Sequence, residues 1–154
     1  MTKPLFAVIL AAIMVHAVSL DAQNPQPQKL ETAKSLSCAF TLMATGTWNK
    51  GEPHAEIGPA RLKLRFVNVD TQESTAEVVD PVGPAYAVVR LGEGSLHFIT
   101  TGKVGALYMT TVFDRETSGG KLMAVHSRHE YTEVSLPGYT SRPEQYYGEC
   151  ELSR

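Results

Sequence analysis

The sequence predicts an all-β domain, an antiparallel up-and-down barrel of about eight strands closed by one disulfide between Cys38 and Cys150. Three observations carry this expectation. From Ser37 onward apolar and polar residues alternate with a period of two, the repeat of a half-buried strand. Glycine, proline or acidic turn residues break that alternation about every ten residues, the spacing of hairpin-linked strands. The two cysteines stand at the start of the first alternating run and at the end of the last.

In the first run Cys38, Phe40, Leu42, Ala44, Gly46 and Trp48 fall on one face, and Thr41, Thr45 and Thr47 on the other. In the second, Leu62, Leu64 and Phe66 alternate with Arg61, Lys63 and Arg65, giving one apolar and one cationic face. Further strands are expected near Thr75 to Val79, Ala85 to Leu91, Ser95 to Thr101, Ala106 to Asp114, Lys121 to Tyr131 and Tyr146 to Leu152. Their links carry turn chemistry: Asp80-Pro81, Gly92-Glu93-Gly94, Gly102 and Ser118-Gly119-Gly120. Two links are longer, Asn49 to Pro59 and Thr132 to Gln145. Each follows an odd-numbered strand, so both open at the same rim.

With an even number of strands, the start of the first and the end of the last lie at the same end of the sheet. Closing the sheet makes them neighbours, within the roughly 4.4 to 6.8 Å Cα separation that a disulfide uses, and removes both edges. A β-sandwich is the alternative, but its crossing connections are usually longer than most of these links. The long-link rim lies opposite the disulfide, where a ligand mouth is expected.

Ahead of the strands, Lys3 and the apolar run from Leu5 to Val15 form a secretory signal, assigned to residues 1–22. The run is shorter than the about 20 residues a membrane span needs, so no transmembrane anchor is expected after cleavage. A flexible leader follows at 23–36, polar and proline-bearing at first, with a single helical turn expected within Lys29 to Leu36. Residues 37–154 form the single barrel domain. The protein is thus expected to be secreted or periplasmic, where a disulfide persists.

A chain of 154 residues with 43% hydrophobic and 19% charged residues suits one compact domain. Its net charge of −2 gives no basic field for a phosphate backbone, so nucleic acid is not an expected partner. In His126-Ser127-Arg128-His129 the two imidazoles, three apart on a strand, point to opposite faces; with only His97 and Glu130 to help, no metal is assigned. There is no Gly-x-Ser-x-Gly elbow, and both cysteines are used in the disulfide. The glycines at 92 and 94, and at 102 and 105, belong to hairpins because no helix follows them. Glu149 and Glu151 share a face as solvated acids. No catalytic residue and no cofactor is assigned.

The apolar faces carry more. Phe40, Leu42, Trp48, Leu64, Phe66, Phe98, Tyr108 and Tyr146 converge inside a barrel and form the expected ligand-binding set, with Thr100, Thr110 and Thr111 as hydrogen-bonding neighbours. Eight strands either fill such an interior or hold one small ligand. The first expectation is a binding module for a small apolar or amphipathic molecule. The second is a structural or protein-interaction domain of the cell envelope that uses its outer strand faces.

The expected architecture resembles the lipocalin-like (calycin) β-barrels. Gly46-Thr47-Trp48 is similar to the Gly-x-Trp of lipocalins, although here it closes a strand rather than opening one. The segments Leu96-His97-Phe98-Ile99, Thr110-Thr111-Val112-Phe113, Ala124-Val125-His126-Ser127-Arg128-His129 and Gln145-Tyr146-Tyr147-Gly148-Glu149-Cys150 resemble small bacterial exported proteins of unassigned activity. That resemblance implies an exported domain and brings no catalytic residue.

Overall fold

The computed structural model describes residues 29–80, 83–101, 106–129 and 142–153. The expected signal segment 1–22, the first part of the leader and most of the Thr132 to Gln145 link lie outside them. Eight strands follow one another: β1 (Leu36–Asn49), β2 (Glu52–Asp70), β3 (Thr75–Asp80), β4 (Gly83–Gly92), β5 (Ser95–Thr101), β6 (Leu107–Glu116), β7 (Leu122–His129) and β8 (Glu144–Leu152). Each pairs antiparallel with the next, and β8 returns to β1, so the sheet is a closed barrel. Closure gives every strand a neighbour on both sides, although β2 before Arg65 is paired with β1 alone. Among the described residues no helix is long and apolar enough to cross a membrane.

The seam is where the cysteines meet. Cys38 lies directly opposite Cys150 in the β1–β8 register and is bonded to it, with a Cα separation of 4.0 Å. Both residues are buried. The all-β, disulfide-closed barrel expected from the sequence is the fold observed.

Two expectations about β1 and β2 need correction. The first concerns faces: the pairing of β1 shifts by one residue between Phe40 and Leu42 against both neighbours, a β-bulge at Thr41 where β1 has one residue more than β8 and one fewer than β2. A one-residue shift reverses which side chains point inward from there on. Leu42 and Trp48 therefore leave the face of Phe40 and lie outside, 43% and 57% exposed, while Thr45 turns in and is 5% exposed. The second concerns the Asn49 to Pro59 link, which is not a loop. Lys50 and Gly51 alone reverse the chain, with φ of 51° and 88°, and residues 52–59 run back along β1 as strand. This stretch projects beyond its neighbours, since β8 accompanies β1 only to Thr45 and β3 meets β2 only from Arg65. Solvent reaches both faces, so the sequence there has no reason to alternate.

The residues just before β1 also depart from the leader expectation. Leu30 is fully buried and Ala33 nearly so, and both belong to the core. Backbone bonds dock this stretch at the disulfide end: Val69 N–H donates to Lys34 O and Ser153 N–H to Ser35 O, each at 3.0 Å. In place of a helical turn, residues 29–32 form a hydrogen-bonded turn in which Ala33 N–H reaches Leu30 O at 3.4 Å. An apolar side chain at this point closes the barrel end from below.

Above it the interior is solid. Phe66 of β2 and Phe98 of β5 stack across the barrel with ring centroids 3.9 Å apart. Phe40, Leu36, Leu96, Val69, Val89 and Val112 are fully buried beside them. Each such side chain stabilises the fold by roughly 1.5–3 kcal/mol through apolar burial.

Candidate binding site at the polar end of the barrel

The inner face changes character along its axis. Moving from the disulfide end, the register sets Phe98 beside Thr110, Thr110 beside His126, His126 beside Tyr146 and Tyr146 beside Met43 as one inward layer. The next layer toward the opposite rim joins Thr100, Tyr108, Arg128, Glu144 and Thr45 by the same strand pairs. These residues face inward because each lies an even number of places from a core residue of its own strand: Tyr108 from Val112, Arg128 from Ala124, Glu144 from Cys150.

His126 organises the inner layer. Its side chain is 5% exposed, and its Nδ1 lies 2.8 Å from Thr110 Oγ1. Arg128 Nε–H donates to Nε2 at 3.4 Å, which makes Nε2 the acceptor and leaves the ring proton on Nδ1 for the threonine. Burial, and secondarily the Arg128 charge, push its pKa down to about 3, so the ring is neutral at pH 7. Rings of Phe40, Tyr108 and Tyr146 surround it at 5.8, 6.3 and 5.9 Å.

Arg128 sits above, half-buried, with its guanidinium 5.2 Å from the Tyr146 ring centre and 5.8 Å from that of Tyr108. Both contacts are cation–π. Tyr146 O–H donates to Glu144 Oε2 at 2.5 Å; burial, then this bond, push the phenol up to about 12. Glu144 stands across from Arg128 in the register but is turned to the tyrosine, and among the described residues no carboxylate pairs with Arg128. The arrangement offers directed donors and aromatic faces. It offers no poised general base, because His126 already has both nitrogens engaged.

The residues singled out from sequence divide into three groups. Phe40, Leu64, Phe66 and Phe98 come together in the packed half, each 5% exposed or less. Tyr108 and Tyr146 reach the polar end, with Thr100 and Thr110 beside them. Leu42 and Trp48 lie outside, and Thr111 points outward to accept or donate with His97 Nδ1 at 3.0 Å. Arg128, Glu144 and Thr45 were not singled out. Arg128 was accessible, because it stands two places from His126 and so shares its face; Thr45 was hidden by the bulge.

His97 and His126 lie on opposite sides of the barrel wall and His129 is exposed, so the three imidazoles do not converge. Among the described residues no three His, Cys, Asp or Glu side chains gather as a metal site. On the outside, Ser95 Oγ lies 3.0 Å from His97 Nε2, and Thr111 occupies the place a carboxylate would need to activate such a pair. Glu149 and Glu151 are both bridged by Lys121, at 3.2 and 2.5 Å. A depression of about 380 Å³ over the β1–β2 seam is lined by Ser37, Lys63, Arg65 and Glu151 among others, a mixed-charge surface.

Comparison with protein-family models, with curated proteins and with solved structures finds no match for this chain.

Proposed function

We propose that the protein is an exported binding module that takes a small amphipathic molecule at the barrel rim opposite the disulfide. One observation carries the reading: the interior is apolar and packed at one end and polar and aromatic at the other. Leu30 closes the first end, and Tyr108, Arg128, Glu144 and Thr45 ring the second. Placing a guanidinium and a carboxylate on the inner face of a small barrel costs desolvation energy that packing alone does not require. A ligand with an apolar body and a polar head would meet both the rings and the donors. Export is supported by the signal-like N-terminus and agrees with a buried disulfide. The lipocalin-like resemblance belongs to the same reading.

Native mass spectrometry of the protein isolated from its own source tests this. A small molecule released on denaturation, and lost when Tyr108 and Tyr146 are changed to Ala, is the expected result. A bare polypeptide mass under every gentle condition overturns it.

A second reading, an interaction domain of the envelope, draws on the outer face of the projecting β1–β2 hairpin. There Ile57 is 75% exposed, with Leu42 and Tyr147 at 43% and 40% on the same face. Pull-down of one envelope protein, lost on Ile57→Lys, would favour this reading.

A further inference from the structure

We infer that the head group of the ligand is an anion and that Arg128 is the residue that selects it. This rests on the binding-module reading and specifies its chemistry. Arg128 is the inward cation of the aromatic layer; Arg61, Lys63, Arg65 and Arg90 alternate to the outside, and Arg142, nearer the projecting hairpin, is ion-paired with Glu56 at 3.7 Å. Its Nε–H is committed to His126, so the terminal N–H groups are the donors that a ligand would engage. The ring centres of Tyr146 and Tyr108 lie 5.2 and 5.8 Å from the guanidinium, so two aromatic faces bear on it. A planar fork held this way suits two parallel bonds to an oxyanion.

The neighbouring acid does not fill the role. Glu144 faces Arg128 across β7 and β8, yet its oxygen takes the Tyr146 proton and no ion pair joins the two. His126 beneath is neutral and adds no competing charge. Among the described residues the geometry leaves a positive group without a bonded anion at the polar end of the barrel, beside two aromatic rings. A carboxylate, sulfonate or phosphate monoester on an apolar body has the complementary shape and charge.

A matched pair of probes tests the inference on the whole mature protein: 2-naphthoate and its neutral isostere 2-naphthamide, titrated by calorimetry. The acid is expected to bind at least about tenfold tighter than the amide, the range of a charge-assisted bidentate pair. Arg128→Met should bring the acid-to-amide affinity ratio to about one, whereas Arg128→Lys keeps part of the preference. Glu144→Gln should raise the preference for the acid over the amide, because it removes a like charge beside the guanidinium. Unfolding midpoints of the three variants show whether each is folded. Equal binding of acid and amide, unaltered by Arg128→Met, overturns the anion inference and leaves the binding-module reading standing. No binding of either probe counts against both.

Discussion

Cys38 and Cys150 face each other across the β1–β8 seam, the one place where the first and last strands of the chain become neighbours. The bond spans a sequence separation of 112, so it restricts nearly the whole domain in the unfolded state. On the chain-entropy model a bridge over so long a loop stabilises by about 4–5 kcal/mol. Cys38→Ala with Cys150→Ala is expected to lower the stability by that order in urea titrations. Seam pairing from Leu36–Leu152 to Thr45–Glu144 is independent of the sulfurs, so cross-seam contacts in NMR spectra should persist in whatever fraction is folded.

Gly148 has a role that its neighbours on β8 do not share. A Cβ built there would stand 2.1 Å from Ala39 O and 2.6 Å from Phe40 Cα, because the β1 bulge brings backbone over this position. Gly148→Ala must displace a strand, and a loss of about 1–3 kcal/mol or more is expected. Gly46→Ala is the matched control, since nothing lies within 4 Å of its Cβ position. That change should be neutral or stabilise by up to about 1 kcal/mol. Comparable losses for the two would show that the close approach at Gly148 is relieved at no cost.

Much of this fold is legible because alternation, turn residues and cysteine placement all point the same way. Leu62, Leu64 and Phe66 against Arg61, Lys63 and Arg65 state the two faces of β2 outright, and the inner members are indeed the less exposed. What period-two reading cannot contain is a phase change. At Thr41 the register of β1 shifts by one without any glycine or proline there to mark it, so every assignment from Leu42 to Trp48 is reversed. The projecting hairpin was hidden for the opposite reason, since two solvated faces leave no pattern. At the site, aromatic inward positions were readable from phase alone. The importance of Arg128 required knowing that Tyr108 and Tyr146 flank it, a relationship across three strands.

Leu30 decides whether the stretch before β1 is tail or core. It is fully buried in the apolar cluster at the disulfide end. Leu30→Ala is expected to cost about 2–5 kcal/mol, the range for emptying a packed leucine site. Lys29→Ala removes only a solvent-exposed ion pair with Glu116, at 2.7 Å, and should leave the thermal midpoint nearly unchanged. A null effect of Leu30→Ala would mean that the barrel end closes without it.

His126 makes the stability of the barrel depend on pH in a window that few surface groups reach. Its folded pKa is depressed to about 3 from the ordinary 6.5, first by burial and then by the Arg128 charge. Between those two values the unfolded chain binds a proton that the folded one refuses, so stability falls as pH drops from about 6.5 toward 3 and levels off below. At full extent the loss is of the order of 5 kcal/mol. Carboxylates contribute mainly nearer their own ordinary range, so the interval from pH 6.5 to 5 isolates the imidazole. Urea midpoints measured across it should fall for the native protein. In His126→Asn, which keeps a polar partner for Thr110 and cannot take up the proton, that slope should flatten. A native protein equally stable at pH 7 and pH 5 would mean that the ring is hydrated or already charged in the folded state, and the neutral floor beneath Arg128 would be lost with it.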